Sequence, residues 1–214
     1  MTHLPQKVQG LLPLIKSGKA TPEETELLIT EIKSQMKASP ELGRELGPLI
    51  PEIKKAIASR VIPPPLDWVP VDQGFLAIGH KPGGKISFPG LKAAGATAVL
   101  SLLMENEGAR DIGRGVEKAG LEWLWFPFSA VKPTEKSEVE AMFLRMKQLL
   151  EKEGRIYIHC SAGIHRTGMV TYAFLRYLGL NPEEGMDRLY SLRKITAEGA
   201  TEKRLAWGDA FGKN

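Results

Sequence analysis

The sequence predicts an α/β fold, with a central, mostly parallel sheet flanked by helices, preceded by an N-terminal helical extension. Beyond residue 65, apolar runs of strand length alternate with segments of helical spacing, a pattern typical of a parallel sheet. Nine of the fifteen prolines lie before residue 66, whereas every Tyr, Trp and Asp lies after it. This shift in composition predicts a helical arm over residues 1–65 and one larger domain over residues 66–214.

Composition excludes several classes of protein. The 214 residues are 43% apolar and 25% charged, as in a globular chain. No apolar run approaches the roughly 20 residues of a membrane helix, and we identify no signal peptide. A net charge of +4 is too weak to indicate nucleic-acid binding. The single Cys cannot form an internal disulfide, which favours a reducing, cytoplasmic location. The scattered His residues show no metal-ligand spacing, so we expect neither metal nor cofactor.

The N-terminal arm contains recognisable helix signals. Thr21 precedes Pro22 and two glutamates, a typical cap with Pro at the first helical position. Apolar residues at helical spacing follow it and recur in a later segment: Leu27, Leu28, Ile32, Ile50, Ile53 and Ile57. The arm either packs on the main domain or mediates self-association or partner binding.

The main domain divides into predicted strands and helices. We expect strands at 74–78, 96–103, 121–128 and 155–159. We expect helices at 89–95 and 110–120, a third that starts at Ser137 and stops before Gly154, a fourth at 164–178, and one further helix capped by Asn181. Ser137 to Glu140 has the spacing of a capping box at the start of the third of these helices.

One segment carries the chemistry. Residues 156–168 read as a strand, a tight loop and the start of a helix, with Cys160 opening the loop and Arg166 six positions later. Backbone N–H groups at a helix N-terminus favour negative charge, so a thiol there has a lowered pKa and acts as a nucleophile. The Arg fork can hold two oxygens of a phosphate. Gly163 permits the turn, and the Thr167 hydroxyl is placed to reach the sulfur.

His-Cys-x5-Arg-Thr after an apolar strand resembles the signature of the cysteine-dependent protein-tyrosine phosphatase superfamily, and residues 66–214 are similar to its compact dual-specificity branch. The resemblance implies that Cys160 forms a phosphocysteine, that Arg166 clamps phosphate, and that His159 orders the loop and tunes the thiolate. It implies that Thr167 assists breakdown of the intermediate. The phosphate-binding N–H groups would come from Ser161, Ala162, Gly163, Ile164, His165 and Arg166.

The sequence departs from the family at the general acid. Relatives carry an Asp in a loop before the cysteine, whereas residues 126–134 contain none, and Ser129 or Ala130 stands where it is expected. Glu135 and Asp72 are weak candidates for the acid. Since proton transfer contributes 10²- to 10⁴-fold, its loss predicts slow turnover on alkoxide leaving groups, whereas a phenol or pyrophosphate relaxes the requirement.

A histidine before the Arg is a second departure. It resembles a plant and fungal atypical branch that acts on inositol phosphates and pyrophosphates, although the basic loop residues of that branch are missing here. His165 either contacts a substrate phosphate, donates a proton, or faces solvent.

Two basic segments have weaker signals. Residues 79–85 nearly spell a nucleotide-binding loop, but Ile86 stands where Ser or Thr should bind Mg²⁺, so we interpret them as a basic surface loop. Arg193 and Lys194 could ring a phosphate pocket, but a solvated helix end is the default.

The sequence thus predicts a hydrolase of phosphoric monoesters, acting on phosphotyrosine or phosphoserine proteins or on inositol phosphates. One alternative is a pseudophosphatase that binds phosphate and turns over weakly. Another is a phosphotransferase that passes phosphate to an alcohol. We expect a phosphorylated protein or small phosphoester as partner, and neither nucleic acid nor membrane insertion.

Overall fold

The structure, a computed structural model, describes residues 4–16, 20–58, 64–129 and 134–212. The chain separates into two compact units, Met1–Ile62 and Pro63–Asn214. No helix among the described residues is both long and apolar enough to cross a membrane.

The N-terminal unit is helical, as predicted. Its helices are α1 (Leu4–Lys16), α2 (Pro22–Ala38), α3 (Pro40–Leu46) and α4 (Leu49–Ala58). The Thr21 hydroxyl accepts a hydrogen bond from the Glu24 N–H at 3.1 Å, and the Glu24 carboxylate accepts one from the Thr21 N–H at 2.7 Å. This reciprocal pair starts α2 by satisfying two otherwise unpaired donors. The core of the unit is aliphatic and includes Val8, Ile15, Leu28, Ile32, Leu46 and Ile53.

The second unit contains a five-stranded sheet. Its strands are β1 (Val69–Val71), β2 (Gly74–Gly79), β3 (Ala98–Ser101), β4 (Glu122–Trp125) and β5 (Arg155–His159). Their order is β1-β2-β5-β3-β4, and every pairing is parallel except that of β1 with β2. The mostly parallel sheet is therefore confirmed. The sequence did not predict β1. This strand is short and contains Pro70, which lacks a backbone N–H. An edge strand tolerates proline because the N–H groups on its outer side pair with no other strand.

Helices cover both faces of the sheet. They are α5 (Phe88–Ala93), α6 (Ala109–Lys118), α7 (Lys136–Leu150), α8 (His165–Tyr177), α9 (Pro182–Leu192), α10 (Lys194–Glu198) and α11 (Glu202–Asp209), with a 3₁₀ helix at Glu105–Glu107. Ile156 and Ile158 of β5 share one core with α7 and α8, whereas Tyr157 between them joins the core under α5 and α6. This alternation follows from the two-residue period of a strand.

One predicted helix start is confirmed and another is wrong. The Asn181 side chain accepts a hydrogen bond from the Glu184 N–H at 3.0 Å and caps α9. The predicted capping box at Ser137 does not form, because α7 begins at Lys136 with Glu135 as its N-cap. The Glu135 carbonyl already accepts from the N–H groups three and four residues on, at 3.1 and 3.2 Å. Ser137 therefore lies inside the first turn.

The parallel pairing brings three chain segments to one edge of the sheet. Gly79, Ser101 and His159 lie side by side at the carboxyl ends of β2, β3 and β5. The segments that follow these residues are therefore neighbours, although they are far apart in sequence. Ligand sites in parallel sheets form at this edge.

Candidate active site

The loop that opens with Cys160 leaves β5 and enters α8, as the sequence predicts. Its turn depends on Gly163, whose φ of +67° lies in the left-handed region. A Cβ on Gly163 would lie only 2.0 Å from the carbonyl oxygen of Gly79. The loop thus approaches the end of β2 too closely for any side chain at this position.

Donors from outside the loop hold its carbonyl groups. The Ser161 carbonyl accepts from the Lys81 N–H at 3.1 Å. The Gly163 carbonyl accepts from the Thr196 hydroxyl at 2.7 Å and from the Arg193 guanidinium at 2.9 Å. The same guanidinium donates to the Ala162 carbonyl at 3.3 Å. With these carbonyls fixed by outside donors, N–H groups of the loop are free to point at the sulfur.

The Cys160 thiol is buried, with 4% of the residue exposed. Burial by itself raises the pKa of the thiol. Hydrogen bonds from the Thr167 hydroxyl and the backbone N–H groups of Thr167, Gly163 and Ile164 act against burial and leave the pKa below its ordinary value. Within the described part of the chain the buried Thr167 hydroxyl has no conventional hydrogen-bond partner, and the Cys160 thiolate is the acceptor that its position favours. The arrangement therefore favours the nucleophilic thiolate.

Arg166 is held by a carboxylate that the sequence analysis did not single out. Its two terminal nitrogens donate to the two oxygens of Glu107, each at 2.6 Å. The guanidinium also donates to the carbonyls of Leu102 and Phe128, at 3.2 and 3.5 Å. The Arg166 hydrogen bonds lower the pKa of the Glu107 carboxyl to about 2. The Glu107 carboxylate, and to a smaller extent the Cys160 thiolate, raise the pKa of Arg166.

His159 organises the loop from beneath and is fully buried. Its Nδ1 lies 3.1 Å from the carbonyl oxygen of Cys160, and its Nε2 lies 3.0 Å from the hydroxyl oxygen of Ser101. A carbonyl only accepts, so Nδ1 carries the proton and Nε2 accepts from the hydroxyl. Burial lowers the pKa of His159 to about 4. The ring is therefore neutral at pH 7.

The basic loop predicted at residues 79–85 forms an outer wall of the site. Its His80 accepts a hydrogen bond at Nε2 from Arg193 at 3.0 Å, and the His80 carbonyl accepts one from the Tyr157 hydroxyl at 2.8 Å. Arg193, expected to be a solvated helix end, instead bridges this wall and the Cys160 loop. The side chains of His80 and Lys81 are exposed.

Solved phosphatase structures share the fold. Kinase-associated phosphatase, with its catalytic cysteine replaced by serine, is 19% identical and aligns over 71% of this chain and 96% of its own, with a TM-score of 0.58. Tk-PTP in its active form is 20% identical over 69% of this chain and 96% of its own, with a TM-score of 0.55. PTPMT1 bound to PI(5)P is 15% identical over 67% and 93%, with a TM-score of 0.53. No curated protein matches the sequence.

A family model supplies the deciding match. Residues 81–179 match the family described as "Polymorphic toxin system, DSP-PTPase phosphatase". These residues, a little under half of the chain, match the dual-specificity branch of the cysteine-dependent protein-tyrosine phosphatase superfamily. The match includes the whole loop from Cys160 to Arg166, and it indicates a cysteine-dependent phosphatase of the dual-specificity type.

The structure of this phosphatase brings the predicted loop residues together. Cys160, Arg166, Thr167 and His159 contact one another or share partners. Residues 161–164 form the turn between β5 and α8, and His165 and Arg166 begin α8. His165 is the first residue of α8, and its side chain is exposed.

The structure places the candidates for the general acid at different positions relative to the Cys160 loop. The structure does not bring Asp72 to the Cys160 loop. Asp72 lies in the turn between β1 and β2, and β2 alone separates that turn from Gly79 by about 16 Å. Glu135 is exposed at the start of α7 and remains a candidate. Ser129 follows Phe128 near Arg166, whereas Ala130 lies outside the described residues.

Sequence reasoning missed Glu107, Thr196 and Ser101. Glu107 and Ser101 carried a usable signal, since Ser101 ends a central parallel strand and Glu107 follows it within six residues. Thr196 carried none, because it reaches the loop from a helix more than thirty residues further along the chain.

Proposed function

We propose that this phosphatase hydrolyses phosphoric monoesters, of phosphoproteins or inositol phosphates, through a phosphocysteine on Cys160. The observation that supports the proposal is the thiol of lowered pKa, set among backbone N–H groups and beside the guanidinium of Arg166. A thiolate supplies the nucleophile, and the N–H groups with the guanidinium stabilise the charge on the equatorial phosphate oxygens.

In the first step, the Cys160 thiolate attacks phosphorus, an S–P bond forms, and the P–O bond to the leaving group breaks with its electron pair on oxygen. Glu107 contributes by holding two nitrogens of Arg166, so that the guanidinium has a fixed orientation. Preorganised donors of this kind avoid reorganisation during the reaction.

In the second step, water attacks the phosphocysteine, the S–P bond breaks, and phosphate leaves as the thiolate returns. The proton released by water passes to solvent. The Thr167 hydroxyl stabilises the departing thiolate, since the hydrogen bond that lowers the pKa of Cys160 also makes its sulfur a better leaving group.

The test compares phosphate release by the wild-type protein and Cys160→Ser on phosphotyrosine and phosphoserine peptides, an aryl phosphate and several inositol phosphates. We expect release from at least one substrate, and none with Cys160→Ser. Intact-mass analysis of a quenched reaction should show one phosphoryl group on the wild-type chain. Release that persists in Cys160→Ser would refute the proposal.

Arginine variants provide a matched control. Arg166→Lys should lose at least tenfold in kcat/KM, because an ammonium cannot reproduce a two-point contact. Arg145→Lys should have no effect, because the ion pair that Arg145 makes with Glu122 lies at the surface and away from the Cys160 loop. Phosphate binding without release would indicate the pseudophosphatase, and transfer to added glycerol would indicate the phosphotransferase.

The setting of the activity forms a further part of the proposal. The matched family is named for polymorphic toxin systems, so we propose that the phosphatase acts as a toxin on phosphorylated molecules of a target cell. Its unpaired reactive thiol favours the reducing cytoplasm as the site of action. Expression in the cytoplasm should slow growth, and Cys160→Ser should not.

A further inference from the structure

The groups around the thiol differ in whether they can give up a proton. A general acid must lie within hydrogen-bonding reach of the leaving oxygen, and it works best when its pKa lies near the operating pH. These two conditions exclude Glu107 and His159, the carboxylate and the imidazole that hydrogen-bond into the site.

Glu107 is the carboxylate bound into the site, and it fails the second condition. Both of its oxygens accept from Arg166, and one also accepts from the Met104 N–H at 2.8 Å. With a pKa of about 2, it carries a proton in only about one molecule in 10⁵ at pH 7. Glu107 therefore accepts hydrogen bonds in the working enzyme and donates none.

His159 fails both conditions. It is fully buried beneath the loop, and both ring nitrogens are engaged, one by the Cys160 carbonyl and one by the Ser101 hydroxyl. Its pKa of about 4 keeps it neutral at pH 7. Its one proton is committed to a structural hydrogen bond.

The segment after β4 contributes a backbone carbonyl to the site, and a carbonyl oxygen has no proton to donate. The Phe128 carbonyl lies 3.5 Å from a nitrogen of Arg166. The sequence continues Ser129-Ala130-Val131-Lys132-Pro133, without a carboxyl, imidazole or phenol. Three exposed side chains of the described residues that can carry a proton remain as candidates: His80, Glu135 and His165. His80 already accepts from Arg193 at Nε2, so the variants tested are those of Glu135 and His165.

We infer that the enzyme breaks the P–O bond without protonating the leaving oxygen. Among the substrates proposed above, this narrows the preferred class to aryl esters such as phosphotyrosine, together with phosphoanhydrides, because their leaving oxygen is a weak base. Alkyl esters such as phosphoserine and inositol monophosphates should be poor substrates. The inference rests on the proposed function. The S–P bond forms as the P–O bond breaks, the oxygen keeps the electron pair, and no proton moves in that step.

The size of the effect follows from general acid catalysis, which contributes 10²- to 10⁴-fold where it operates. A tyrosine phenol has a pKa of about 10, far below the value of about 16 for water, which an alcohol resembles as a leaving group. A phosphotyrosine peptide should therefore exceed the matched phosphoserine peptide in kcat/KM by at least about 10²-fold.

The experiment measures kcat/KM for aryl phosphates whose phenols span pKa values from about 5 to about 10, for the wild-type protein, Glu135→Gln and His165→Gln. We expect log(kcat/KM) to fall steeply with leaving-group pKa, about threefold or more per unit, with the same slope in all three proteins. Inorganic pyrophosphate and the two phosphopeptides form additional arms that separate anhydrides from aryl esters.

The outcomes separate the two proposals. A shallow slope in the wild type that steepens in Glu135→Gln or His165→Gln identifies that residue as the acid and overturns the inference. Equal rates on the two phosphopeptides with Cys160-dependent release overturn it as well, and leave the proposed function standing. Release that is independent of Cys160, or no release at all, overturns both.

Discussion

Replacing Glu107 by glutamine keeps the size of the side chain and removes the charge that pairs with Arg166. One carboxylate oxygen becomes an amide NH₂ group, which cannot accept from the guanidinium and faces another donor. We expect Glu107→Gln to lose both stability and activity, because Arg166 loses one of two hydrogen bonds of 2.6 Å and its fixed orientation.

The structure sets the size of the stability loss. The pKa of Glu107 falls from 4.5 to about 2, and a full conversion at 1.36 kcal/mol per unit gives about 3 kcal/mol. Because 29% of the Glu107 side chain is exposed, solvent screening reduces this figure to about 2 kcal/mol. The loss of Arg166 orientation should lower kcat/KM by about 10- to 100-fold, which corresponds to about 1.4 to 2.8 kcal/mol.

The pH dependence has a definite sign. A lowered folded-state pKa stabilises the fold above the unfolded value and ceases to do so as the pH falls through the folded value. The difference between wild type and Glu107→Gln should therefore be full above pH 4.5 and vanish towards pH 2. Urea denaturation across this range measures it.

Glu105→Gln is the matched control, since Glu105 lies on the same 3₁₀ helix and pairs with Arg110 in solvent, with 66% and 60% of the two side chains exposed. Exposed pairs of this kind contribute about 0–1 kcal/mol, so this variant should resemble wild type. If Glu107→Gln were as stable and active as Glu105→Gln, the positioning role of Glu107 would be refuted.

Three further changes test the loop and its support. Gly163→Ala should lower the free energy of unfolding by about 2 kcal/mol or more in thermal denaturation, since it combines left-handed strain with a contact 2.0 Å from Gly79; an unchanged Tm would contradict this. Arg193→Gln should raise the pKa of the Cys160 thiol, measured by the pH dependence of iodoacetamide alkylation, whereas Lys194→Gln should not, because that side chain is 78% exposed; equal profiles would exclude the role of Arg193. The pKa of about 4 for His159 predicts that stability is full above pH 6.5 and falls by up to about 3 kcal/mol towards pH 4, which urea denaturation would show as a slope, and a flat profile would argue against it.

The catalytic loop could be predicted because its chemistry is local. The nucleophile, the N–H groups and the phosphate-binding Arg166 come from eight consecutive residues, and Gly163 marks the turn in the sequence itself. The strands β2 and β5 were also predictable, since each is a continuous apolar run that ends where the loop chemistry begins.

The residues that hold the loop could not be predicted in the same way. Glu107, Arg193 and Thr196 reach it only because the pairing of β3 with β5 and the packing of α10 bring distant segments together. The sequence alone suggests that Arg193 is a solvated charge. Nothing in the sequence indicates that the carbonyls of Ala162 and Gly163 require a donor from another part of the chain. Ser137 failed as a cap for a related reason, because the backbone of Glu135 had already begun the helix.

The outward carbonyls of the loop have a consequence for how the molecule gains its reactivity during synthesis. One donor precedes the loop by about eighty residues, and two follow it by about thirty. A ribosome-bound chain that has exposed Cys160 but not yet Arg193 lacks the groups that fix the turn, so its sulfur has the chemistry of an ordinary thiol. Because contacts of such long sequence separation form late in folding, the reactive thiolate arises with the completed sheet. Alkylation at neutral pH would therefore count finished molecules in a population that also contains nascent and partly unfolded ones.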